Sequence, residues 1–182
     1  MIIIPGKNVL SVEPISYEDK CIAKIGGNVM NKCHNLALDL ATDNTKASYR
    51  KLYSHLRYML KKNGPNPNIL GSLGDILKYN RPAIRILKKA YALALETEDV
   101  KNLTFISDSI ANRYLCINDR DLFLYWIEKT VCHLEKYYDS EICENILHEL
   151  YVFENIFSFE QIKKLDIIKN LIFKIKQNIA TS

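Results

Sequence analysis

Ile110-Ala111-Asn112-Arg113-Tyr114, a break at Asn118-Asp119, and then Phe123-Leu124-Tyr125-Trp126-Ile127-Glu128-Lys129-Thr130 is the stretch on which the fold turns. On both sides of the break the apolar residues recur three and four positions apart. That spacing lines one face of an α-helix, whereas a strand would alternate at every second residue. Asp119 stands just before the second run, where its carboxylate can accept from the unpaired N–H groups that open a helix. The stretch therefore reads as helix, tight turn, helix.

Working outward, the same pattern returns at a period of 37. Ala37, Gly74, Ala111 and His148 are evenly spaced. Leu36, Leu73, Ile110 and Leu147 precede them, and Leu40, Leu77, Tyr114 and Tyr151 follow three residues later. In the second helix of each pair Tyr49, Ile86 and Phe123 keep the register, as do Tyr53, Ala90 and Ile127. The fourth pair slips, with Glu160 and Lys164 in those slots. Breaks rich in Asp, Asn, Ser, Thr, Gly and Pro separate eight expected helices, at about 29–42, 45–62, 67–79, 81–97, 100–117, 120–138, 140–156 and 159–178. Residues 1–27 lack this period and hold Pro5-Gly6 and Gly26-Gly27. They are expected to form an extended arm, with a possible short strand at Ile2–Ile4, packed on one helical domain over 28–182. The expected fold is all-α, antiparallel helical hairpins stacked as a short superhelix or gathered in a bundle.

Composition agrees. The chain has 182 residues, 48% hydrophobic and 25% charged, which excludes a mostly disordered protein. It has 23 Ile and 22 Leu but only 6 Val, 6 Gly and 5 Pro, too little turn punctuation for a many-stranded sandwich or barrel. Five Cys at irregular spacing, with no C-x-x-C, encode no zinc ribbon and suit buried thiols in a reducing compartment. No apolar run approaches the roughly 20 residues of a membrane span, and the N-terminus lacks a basic signal region. A cytoplasmic protein is expected.

The net charge of +4 is unevenly spread. Lys46, Arg50, Lys51, Arg57, Lys61 and Lys62 occupy 44–74 with no acid among them. Asp139, Glu141, Glu144, Glu149, Glu154 and Glu160 occupy 139–160 with no Lys or Arg. One block could attract an acidic partner and the other a basic one.

The paired-helix register resembles the tetratricopeptide repeat. Ile110-Ala111-x2-Tyr114 with Phe123-x3-Ile127-x2-Thr130 carries the likeness best, and Ala83-x3-Leu87-x2-Ala90 shares the second-helix spacing. The period is longer than the family's roughly 34 residues, and His148 stands where a small residue belongs. The resemblance implies a groove lined by the first helix of each pair. Carried onto this chain, it assigns Asp75, Lys78 and Tyr79 in the second repeat, Asp108 and Asn112 in the third, and Asn145 and Glu149 in the fourth. Glu141 and Glu144 of the acidic block join them as candidates. Only one of these residues is cationic, so the groove suits a protein better than a nucleic acid.

No phosphate-binding loop, dinucleotide fingerprint or zincin helix is present. Glu144 and His148 share a helical face but are too few for a metal. Arg50-x4-His55 resembles the signature of the small all-α HEPN ribonucleases, which implies His55 as acid/base and Arg50 on the phosphate. Lys51 stands where that family has a polar residue. The expected function is non-catalytic protein binding with no cofactor or metal. By size and character the chain resembles an immunity protein, an antitoxin-like inhibitor that neutralises a basic toxin domain. A chaperone or adaptor of tetratricopeptide type is the alternative, and a HEPN-like ribonuclease the second.

Overall fold

The computed structural model describes residues 46–180; the arm expected at 1–27 and the helix expected at 29–42 lie outside the described residues. Among the described residues the elements are α1 Lys46–Asn63, α2 Pro67–Ile76, α3 Asn80–Glu96, α4 Val100–Cys116, α5 Arg120–Leu134, α6 Ser140–Val152, a 3-10 turn Glu154–Ile156, and α7 Phe159–Ala180. The class is all-α, as the helical period requires, and no strand occurs among the described residues. The chain divides into two compact units, Met1–Leu93 and Ala94–Ser182.

In the first unit, Leu52, Leu56 and Met59 fall on one stripe of α1 and are buried with Ile69, Leu73 and Ile76 of α2. Tyr49, Tyr53, Leu60 and Ile86 pack against this core. The turn leaving α1 places Gly64 at φ +75, a backbone state open to glycine at little cost. Asn66 caps α2, accepting from the Asn68 N–H at 2.9 Å, and Pro67 opens the helix where its missing N–H is harmless. Gly74 then meets α3. A Cβ built on it would lie 2.5 Å from Leu87 Cγ and 2.8 Å from Leu87 Cδ2, so the two helices touch where the sequence places its small residue. Ala83, Leu87 and Ala90 of the second-helix motif are all fully buried.

α2 ends three residues before the expected boundary. Leu77 is extended at ψ 128, and the Tyr79 carbonyl accepts from the Ala83 N–H at 3.1 Å. Tyr79 thus serves as the leading residue of α3, with Pro82 in that helix's first turn.

The second unit is built on the α4–α5 hairpin. Asp99, Asp119 and Asp139 cap α4, α5 and α6 at a spacing of 20 residues, accepting from the N–H groups of Asn102 (3.2 Å), Leu122 (3.2 Å) and Ile142 (3.1 Å). Glu98 and Asn118, just before two of these caps, take left-handed backbone at φ 51 and φ 60. Ile110, Ala111, Phe123, Ile127 and Thr130 are fully buried, and Tyr114 nearly so. At the hairpin's centre Thr130 Oγ1 donates to Ser107 Oγ at 2.9 Å, and Ser107 Oγ donates to the Leu103 carbonyl at 2.7 Å. Two buried hydroxyls are thereby satisfied together.

α6 stops at Val152, four residues short of the expected boundary, because Phe157 leaves the helical path to bury its ring against Phe123, 6.0 Å between centroids. Ser158 and Gln161 then form a capping box that starts α7: the Gln161 N–H donates to Ser158 Oγ at 3.3 Å, and the Ser158 N–H to Gln161 Oε1 at 3.0 Å. The final helix packs on α5 and α6. Gln161 Nε2 donates to Asp121 at 2.7 Å, Lys164 pairs with Glu128 at 3.5 Å, Lys169 with Glu154 at 3.4 Å, and Lys176 with Glu144. The fourth repeat's register positions come out differently from those of the second and third: Tyr151 is 73% exposed and His148 is on the surface.

Candidate protein-binding site on α4 and α6

Asp108 and Asn112 stand one turn apart on α4, and Glu149 approaches them from α6. Asn112 reaches one of the two carboxylates in each orientation of its amide. With its amide turned to satisfy hydrogen bonding, Nδ2 donates to Glu149 Oε1 at 2.6 Å and Oε2 at 2.9 Å. Turned the other way, the same nitrogen reaches Asp108 Oδ2 at 3.4 Å. Asn145 lies one turn before Glu149 on the same face of α6 and is half-buried.

The electrostatics are unfavourable for a second negative charge. Burial of the Glu149 carboxyl, followed by the Asp108 charge beside it, holds its pKa well above the ordinary carboxylate range. Cys116, one turn beyond Asn112, senses the same field. Its thiol is pushed up first by burial, the nearby Arg113 guanidinium pulling it down and Glu149 pushing it further up. The geometry thus offers a half-enclosed pair of carboxylates beside one amide, a pair that would be relieved by a proton or by a cation.

The remaining candidates have other settings. Glu144 is held by Lys176 of α7, and Glu154 of the same acidic block by Lys169, whose ammonium also lies 5.0 Å from the centre of the Tyr151 ring. Two of the six acids of the block are therefore neutralised by the chain's own last helix. Lys169 and Lys176 are the residues the sequence reading missed. Their signal was present, since acids ascending α6 meet cations descending α7, the order of two antiparallel neighbours. Glu141 is exposed in the first turn of α6, where a carboxylate suits the helix dipole. Asp75, Lys78 and Tyr79 belong to the first unit. Asp75 is half-buried on α2, while Lys78 and the 70% exposed Tyr79 lie in the α2–α3 turn instead of on a groove-lining helix.

Arg50 and His55 lie on α1, five residues and so roughly 140° apart around the helix axis. Arg50 is exposed, and His55 is half-buried with its ring stacked on Tyr58 at 6.4 Å. Among the described residues no group of three His, Cys, Asp or Glu could hold a metal ion, and no helix is long and apolar enough to cross a membrane. Neither a protein-family model, nor a curated protein, nor a solved structure matches this chain.

Proposed function

We propose that this chain is a non-catalytic protein-binding protein whose α4–α6 face seats a basic side chain of its partner on Asp108 and Glu149, as an inhibitor of a basic toxin would. The observation that carries the reading is the convergence of Asp108 and Glu149 on the Asn112 amide, in one half-enclosed site where the second charge is disfavoured. A lysine or arginine entering there replaces the Glu149 proton, pairs with both carboxylates and gains from the reduced solvent screening. The acids that α7 leaves unpaired, with Glu141 among the exposed ones, would steer a cationic partner toward the face.

The test is affinity capture from the native host with the wild-type chain, with Asp108→Lys/Glu149→Lys, and with Glu141→Lys as a peripheral control. A protein with a basic contact surface should be retained by wild type and released by the double reversal. Glu141→Lys should slow association only modestly. Removing one buried partner of the contact should cost about 2–5 kcal/mol. Retention of the same protein with unchanged kinetics by the double variant would place the interface elsewhere.

A further inference from the structure

The first unit carries an unusual charge distribution. Residues 46–89 hold eleven Lys and Arg and a single acid, Asp75. On α1 the cations form two rows. Arg50, Arg57 and Lys61 stand at i, i+7 and i+11, which keeps them within roughly 40° of one line along some 16 Å of helix. Lys51, Tyr58 and Lys62 repeat the same spacing one residue on. All six side chains are exposed, and among the described residues none of the five cations has a carboxylate within ion-pair distance. Tyr58 is 57% exposed, lies within the second cation row, and is backed by the His55 ring at 28° between planes.

We propose that this face of α1 binds a single-stranded nucleic acid, its phosphates along the cation rows and a base stacked on Tyr58. Three features favour that occupant. Rows of like charge without an interleaved acid match a polyanion of regular spacing. An exposed aromatic inside the basic track supplies the stacking platform that single strands use. An acidic protein fits less well, because interface cores are depleted in Lys and rich in apolar surface, and Tyr58 is the one large hydrophobic that α1 exposes. A lipid surface fits less well too, since the apolar stripe of α1 is already buried in the core. The groove candidates of the paired-helix register include a single cation, Lys78, whereas α1 lies outside that set and carries these rows.

The experiment is fluorescence anisotropy of the full chain with labelled twelve-nucleotide oligo-U and oligo-dT, a duplex of equal length, and unlabelled polyglutamate as competitor, over a salt series. Wild type should bind the single strands more tightly than the duplex, and log affinity should fall with log salt by about 0.7 per phosphate contact, so about 3.5 for five. Arg50→Gln/Arg57→Gln/Lys61→Gln should lower that slope by about 2 and retain its helical circular dichroism, these positions being exposed. Tyr58→Ala should weaken single-strand binding about fivefold to a hundredfold and leave the salt slope unchanged. The oligo-U and oligo-dT arms show whether the strand is RNA or DNA. The proposal is overturned by absence of binding at low salt, or by unaltered binding in the triple variant. It is equally overturned if polyglutamate competes as well as the oligonucleotide charge for charge, which would make the face an acidic-protein site. Preference for anionic vesicles over both oligonucleotides would also overturn it.

Discussion

Gly74 costs its helix about 1 kcal/mol relative to alanine, because glycine loses the most backbone freedom on folding. It is tolerated because of sterics: the Leu87 side chain occupies the space a Cβ would need. Propensity and packing therefore oppose each other here, and packing wins. Gly74→Ala is expected to destabilise the first unit by roughly 1–3 kcal/mol despite the better helix former, and Leu by more. An unchanged thermal midpoint for both would remove the α2–α3 contact from the account. Glu149 presents the opposite situation, a residue whose burial beside another carboxylate works against stability. Its carboxyl is more readily protonated in the folded chain than in the unfolded one, so the folded state gains protons relative to the unfolded. Stability tied to this group is complete below the ordinary glutamate range and is lost as pH rises through the elevated folded value. Glu149→Gln should accordingly be more stable than wild type at pH 8, with the advantage fading toward pH 4. Urea titrations at the two pH values measure it. An equal difference at both would mean that neither burial nor the Asp108 charge raises the Glu149 pKa.

At the level of elements, caps and apolar period decide most of the boundaries. Asp99, Asp119 and Asp139 each accept from the open N–H groups of the helix that follows. Replacing any one with alanine should cost about 1 kcal/mol, and the Asp119→Ala/Asp139→Ala pair close to the sum, because the two caps serve different helices. Denaturant midpoints check this, and a change much below half that value would show the caps to be solvent-exchanged. Such local signals were legible in the sequence because a cap and the turn it starts lie within a few residues. α5 also stops early, at Leu134, four residues short of the expected boundary. The other two misplaced ends have non-local or competing causes. α2 stops early because α3 takes the Tyr79 carbonyl, and α6 stops early because Phe157 is drawn onto Phe123, 34 positions away. The periodic pattern continued through both points, so nothing within one helix's sequence marked them.

Across the whole molecule, charge separates with the fold. The first unit's described part is strongly basic, while residues 94–180 hold 15 acids and 10 cations. The sequence showed the two blocks but not how each is spent. Glu144 and Glu154 looked available in a local count, yet lysines 32 and 15 residues downstream hold them. Among the described residues, Arg50, Lys51, Arg57, Lys61 and Lys62 meet no such carboxylate. The meeting of Asp108, Asn112 and Glu149 was legible only through the repeat register, since the 37 positions that separate Asn112 from Glu149 hide it from any motif search. That meeting supports the central claim, that the α4–α6 face exchanges a proton for a partner's cation. The most direct measurement is the association of the captured protein with wild type and with Asp108→Asn/Glu149→Gln at two salt concentrations, with calorimetry at pH 7 in buffers of different ionisation enthalpy. The account predicts slower association and a weaker salt dependence for the neutral variant, with proton release on binding by wild type alone. Equal rates, equal salt dependence and no proton release from either protein would contradict it.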